Sequence, residues 1–161
     1  MSAAAHRESG AEDAFYAAQP VPGLPADVPF VRTAELASVK GVTPPALDAV
    51  TPFLSALPTG TPVNVNTAPA EVLAAIVDGL DGDRLAALIA DRGPKPFASV
   101  SDFRTRLPKG ATLSSESALS VKSSYFYVTV EARQGETFAR ARALLRRSAG
   151  ALPAIVWQVV E

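Results

Sequence analysis

The chain has 161 residues, with 15 Lys/Arg against 16 Asp/Glu, one histidine, no cysteine, 14 prolines and 10 glycines. Its 48% hydrophobic content suffices for a buried core and excludes wholesale disorder, while a net charge of −1 argues against a protein that lives on phosphate backbones. Without cysteine there is no disulfide framework, thiolate metal site or thiol nucleophile, and the lone His6 leaves little material for imidazole chemistry.

Residues 1–30 are rich in alanine, proline and acid, with Glu8, Glu12, Asp13 and Asp27 against Arg7. Pro20, Pro22, Pro25 and Pro29 preclude a long helix. This stretch reads as a flexible leader followed by an extended arm whose Phe15, Tyr16, Val21 and Leu24 dock on the body. Residues 31–118 read as a helical domain. Thr33 is expected to cap a helix through Val39, with Leu36 and Val39 facing inward. Gly41 suits the residue just past that helix, Thr43 the next N-cap and Pro44 the first turn of a second helix. That helix carries an apolar stripe of Leu47, Val50 and Leu54, and Pro52 shortens or bends it. Pro62 to Asn66 is a short extended piece. Thr67 then caps a helix with Val72, Leu73 and Ile76 on its apolar face. Asp78 to Gly82 turns the chain into a helix from Asp83 to Arg92, with Leu85, Leu88 and Ile89 inward. Gly93-Pro94 stops it, and Ser99 starts a short helix with Val100, Phe103 and Leu107.

Residues 119–161 change character. Val121 to Arg133 is rich in β-branched and aromatic residues and reads as a strand. Gln134-Gly135-Glu136 turns the chain, and Thr137 to Arg147 continues with a period of two. Helix propensity competes for this Ala/Arg/Leu run, but its apolar positions fit the strand period better. Phe138, Arg140, Arg142, Leu144 and Arg146 fall on one side; Ala139, Ala141, Ala143 and Leu145 take the other. Leu152 to Val160, containing Trp157, completes a three-stranded antiparallel meander. Such a sheet needs cover on its apolar face. The small-residue track of Ala139, Ala141, Ala143 and Leu145 is the surface a long helix would lie against. The expectation is a C-terminal part of a longer protein whose N-terminal helix covers the sheet.

Glu35–Leu54 and Val72–Arg92 echo one another as helix-hairpin-helix units, with Gly41 and the pair Gly79 and Gly82 at the hairpin turns. Such hairpins can grip a phosphate through backbone N–H groups. Here Asp78, Asp81 and Asp83 would repel it, and eight Lys/Arg balance eight Asp/Glu over residues 31–110. Packing is therefore favoured over nucleic-acid binding. The three aspartates do not match an EF-hand spacing and read as a solvated acidic turn. Arg140, Arg142, Arg146 and Arg147 form a basic strip, either a solvated face or a contact for an acidic partner. Trp157 reads as core. No nucleophile–base set, phosphate-cradling loop or carboxylate pair appears, so the chain is not expected to be an enzyme.

The string Thr61-Pro62-Val63-Asn64-Val65-Asn66-Thr67-Ala68-Pro69-Ala70-Glu71-Val72-Leu73 resembles a segment of the type II secretion system protein K family, minor pseudopilins also called general secretion pathway protein K. Ala11 to Tyr16, Phe30 to Val42, Pro96 to Phe103 and Val121 to Phe126 are similar to further segments of that family in the same order. The Asn-Thr-Ala-Pro hairpin also occurs in competence-type DNA-binding helix-hairpin-helix proteins, which leaves a nucleic-acid-binding module as the alternative; the final strands favour the secretion protein. The resemblance implies an α+β fold, a helix-hairpin-helix or SAM-like helical domain followed by a three-stranded antiparallel pseudopilin sheet. It further implies a non-enzymatic protein at the periplasmic face of the bacterial inner membrane, held there by an N-terminal helix. Its role would be to cap the pseudopilus tip with minor pseudopilins I and J and to help start assembly. Some relatives carry structural calcium, for which no ligand is assigned here.

Overall fold

The computed structural model describes residues 13–20, 22, 29–150 and 152–160. The leader before Asp13, with His6, and the arm residues Val21 and Leu24 lie outside them. The chain divides into two compact units, Met1–Thr59 and Gly60–Glu161, so the expected boundaries at 30 and 118 each fall inside a unit.

In the first unit, Phe15 and Tyr16 belong to a short helix, α1 (Asp13–Ala17), and not to an extended arm. The Gln19 side chain donates back to the Phe15 carbonyl at 3.1 Å and closes the turn before Pro20. Lys40 holds both rings: its Nζ sits 4.4 Å from the Phe15 centroid, and its backbone N–H donates to the Tyr16 hydroxyl at 3.4 Å. Thr33 opens a 3₁₀ turn, Thr33–Ser38, without capping it. No side chain caps the turn, whose cap position is held by Arg32; the Glu35 carboxylate accepts the N–H of Val31, one residue earlier, at 2.9 Å. After Gly41 (φ +87°), the Thr43 hydroxyl accepts the Ala46 N–H and Pro44 begins α2 (Pro44–Val50). Pro52 then forces a 3₁₀ turn, Thr51–Phe53, and Leu54 becomes extended. The expected stripe therefore stays uncovered: Leu47 is half-buried, while Val50 and Leu54 are exposed.

The second unit contains the core. Two-residue strands stitch it: β1 (Val63–Asn64) runs parallel to β4 (Leu119–Ser120), and β2 (Val77–Asp78) pairs antiparallel with β3 (Thr112–Leu113). Between them lie α3 (Ala70–Ile76), α4 (Gly82–Arg92) and α5 (Val100–Thr105). Val65, Leu73, Val77, Leu80, Leu88, Phe97, Phe103 and Leu119 form the buried cluster. Phe97 and Phe103 meet edge to face at 4.9 Å. Ser99 caps α5 by accepting the Asp102 N–H. Thr67 does not cap α3; it lies in a turn whose N–H groups at Thr67 and Ala68 donate to the Asn64 carbonyl, and Pro69 takes the cap position.

A three-stranded antiparallel sheet follows, β5 (Tyr125–Gln134), β6 (Thr137–Arg146) and β7 (Ala154–Val160), in the order β5-β6-β7. Gly135 (φ +62°) helps turn β5 into β6. The first strand starts at Tyr125, not Val121. Residues Val121 and Ser123 are taken by the helical part, accepting hydrogen bonds from the Asn66 and Asn64 side chains.

Candidate functional site

The recognised Val-Asn-Val-Asn string is a brace. Its two-residue period sends Val65 into the core, fully buried, and leaves Asn64 and Asn66 to hydrogen-bond sideways. The Asn66 amide donates to the carbonyls of Phe97 at 2.9 Å and Val121 at 3.4 Å, and its oxygen accepts the Phe97 N–H at 2.8 Å. The Asn64 amide donates to the Ser123 hydroxyl at 2.9 Å. From α4, Arg92 donates to the carbonyls of Val65 at 3.0 Å and Ala68 at 2.6 Å. Arg106 ties Asp91 at 2.6 Å to the Lys95 carbonyl at 2.8 Å and lies 4.3 Å over the Phe97 ring. Sequence reasoning missed this set; the signal available was the alternation of asparagine with a buried valine.

The glycines named for the hairpins all have positive φ: Gly41 +87°, Gly79 +73° and Gly82 +44°. At Gly79 a Cβ would stand 3.2 Å from the Gly110 carbonyl oxygen, whereas nothing lies within 4 Å of one at Gly82. Gly79→Ala is therefore expected to cost about 2 kcal/mol and Gly82→Ala about 1 kcal/mol, the excess being the collision with backbone. Urea unfolding of the two variants reads the difference, and equal costs would contradict it. Asp78, Asp81 and Asp83 remain exposed beside this turn. Among the described residues no group of three or more His, Cys, Asp or Glu gathers to hold a metal ion. A shallow groove on α4, lined by Asp83, Arg84, Leu88, Asp91 and Arg106, holds no nucleophile beside a base.

The sheet has two contrasting faces. Cross-strand register pairs share a face. Phe126 opposes Leu145, Val128 opposes Ala143, Val130 opposes Ala141 and Ala132 opposes Ala139, while β7 adds Ile155 and Val160 with the polar Gln158 opposite Ala143. The track of Ala139, Ala141, Ala143 and Leu145 is thus the centre of a broader apolar face. Much of it is exposed, Val130 at 56%, Ile155 at 59% and Val160 at 74%. The β5 and β7 contributions went unnoticed in the sequence, although β5 alternates visibly.

The opposite face gathers Tyr125, Tyr127, Thr129, Glu131 and Arg133 from β5 with Phe138, Arg140, Arg142, Leu144 and Arg146 from β6. Leu144 shares this face with the arginines, as its period predicts, and is only 2% exposed, because Trp157 and Tyr127 oppose it on either side. Those two rings meet edge to face at 5.3 Å. Arg140 pairs with Glu131 at 2.6 Å, an exposed ion pair worth about 0–1 kcal/mol.

Two family models, both described as Type II secretion system (T2SS), protein K, match residues 2–59 and 63–122. The chain belongs to the type II secretion system protein K family. It is 31% identical over 147 residues to the Type II secretion system protein K of Pectobacterium carotovorum subsp. carotovorum, covering 87% of this chain and 45% of that protein. It is 32% identical over 129 residues to the protein K of Pseudomonas aeruginosa, covering 80% and 38%. The chain therefore spans less than half the length of these curated relatives. In fold it is similar to a chain of the crystal structure of the GspK-GspI-GspJ complex from the enterotoxigenic Escherichia coli Type 2 Secretion System. That match has a TM-score of 0.79 at 24% identity and covers 96% of this chain and 56% of that one. The protein K family thus pairs an α+β fold with a three-stranded antiparallel sheet here.

Proposed function

We propose that this chain is a pseudopilin-type assembly module. In the whole protein it caps the tip of the periplasmic pseudopilus together with minor pseudopilins I and J, and helps start pseudopilus assembly. It works by burying surface, not by catalysis. The observation that carries this reading is the exposed apolar face built on Ala139, Ala141, Ala143 and Leu145, on a sheet joined to a braced helical core. A solvated sheet face is normally polar, and an apolar one is a seat for another element. The occupant is a long N-terminal helix of the whole protein, lying along the alanine track and anchoring the protein in the inner membrane. Among the described residues no helix is long and apolar enough to cross a membrane. The two hairpins serve packing, and nucleic acid is not a partner.

The test is reconstitution of a protein K containing both the helix and this region with its I and J subunits. A stable three-component complex by size exclusion with light scattering is expected, and its absence overturns the reading. Ala143→Asp supplies a finer check. A carboxylate placed under the helix costs at least about 2 kcal/mol in the helix-containing protein, whereas on the open face of the 161-residue chain it is nearly neutral. Equal effects in the two forms would remove the helix from this face.

A further inference from the structure

We infer that residues 120–124 are a rigid strap, not a hinge, and that they make the helical core and the sheet of the unit 60–161 move as one body. The consequence for the pseudopilus rests on the assembly reading above. A sheet held in place by its helix then fixes the direction in which the helical core stands. The rigidity itself is independent of that reading.

The packing shows why the connection matters. Among the described residues, neither the buried cluster of the helical core nor the side chains packed against it include a residue of β5, β6 or β7. The sheet buries Leu144 separately, between Tyr127 and Trp157. From β4 the chain passes to β5 once, through residues 121–124. A single crossing between two bodies with separate cores is ordinarily where a protein hinges.

The bonding removes that freedom, because every residue from 120 to 124 is tied. From the helical core, the Val65 N–H donates to the Ser120 carbonyl at 2.9 Å. The Asn66 amide donates to the Val121 carbonyl and the Asn64 amide to the Ser123 hydroxyl. The Lys122 N–H donates to the Ser120 hydroxyl at 3.0 Å, which closes the strap on itself. From the sheet side, the Arg147 N–H donates to the Ser124 carbonyl at 2.8 Å, one rung beyond the Tyr125–Arg146 pair. The Arg147 guanidinium also lies 4.8 Å from the Phe126 ring centroid, so it holds the start of β5 a second time. Val121 packs against the buried cluster, and the stretch contains neither glycine nor proline. Flexible linkers are rich in glycine and leave their backbone groups to water; here those groups bond to both bodies.

The experiment measures NMR residual dipolar couplings on the 161-residue chain, for residues of α3, α4 and α5 and for residues of β5, β6 and β7. One common alignment frame supports the inference, and two distinct frames overturn it. S123G/S124G then removes the acceptor of the Asn64 amide and adds backbone freedom inside the strap. Neither side chain belongs to the buried cluster, so both bodies stay folded, which far-UV circular dichroism checks. The variant is expected to split the couplings into two frames. Trypsin, which can reach the exposed Lys122, is expected to cut after it at least about tenfold faster than in the unsubstituted chain. A variant that keeps one frame and is cut within about threefold of the unsubstituted rate overturns the inference, because something other than the strap then holds the two bodies. Two frames in the unsubstituted chain, with the complex of protein K, I and J still forming, overturn the strap and leave the assembly reading standing. One frame without that complex supports the strap and overturns only the assembly reading.

Discussion

Phe103→Ala is expected to destabilise the unit 60–161 by about 3–5 kcal/mol, the usual cost of emptying a large aromatic site in a core that relaxes only partly. The side chain is fully buried and packs edge to face on Phe97. Arg106 covers that same Phe97 ring, so the cavity would also loosen the base of the Arg106–Asp91 contact. Against a typical domain stability of about 5–15 kcal/mol, the loss is a large fraction of the whole. Urea unfolding followed by far-UV circular dichroism gives the number, and a shift below about 1.5 kcal/mol would place Phe103 outside the cooperative core.

Asn66→Ala comes next, with an expected cost of about 2–4 kcal/mol, because it strips partners from the Phe97 N–H and carbonyl and from the Val121 carbonyl in a half-buried site. Asn66→Asp separates the contributions. It keeps an acceptor for the Phe97 N–H, loses both donations and sets a negative charge against two carbonyl oxygens. It should therefore remain destabilised, and hydrogen exchange at the Phe97 amide should stay slower than in the alanine variant. If Asn66→Ala unfolds at the wild-type urea concentration, the asparagines do not brace the fold. Since Asn66 reaches both Phe97 and Val121, its loss would also free the segment leading into β5.

Local signals were readable where one residue type is nearly compulsory. Pro44 behind a threonine cap, Ser99 ahead of α5 and the two-residue period of β6 are decided within a few neighbouring residues. Reading failed where a distant group competes. Val121 is drawn out of β5 by an asparagine 55 residues earlier in the chain. Leu119 pairs with Val63 and completes the helical core, which no local pattern around it signals.

The amino-acid sequence by itself determined the class of the molecule. Alternation set Ala139, Ala141 and Ala143 opposite Arg140, Arg142 and Arg146, because a strand's side chains point alternately to its two sides. Tertiary structure alone decided what those faces amount to. Register with β5 widened the alanine track into an apolar surface, and register with β5 and β7 together buried Leu144 between Tyr127 and Trp157. Pairing between strands joins side chains that no single stretch of sequence places together, so the width of a face and the cover over one residue exist only once the strands align.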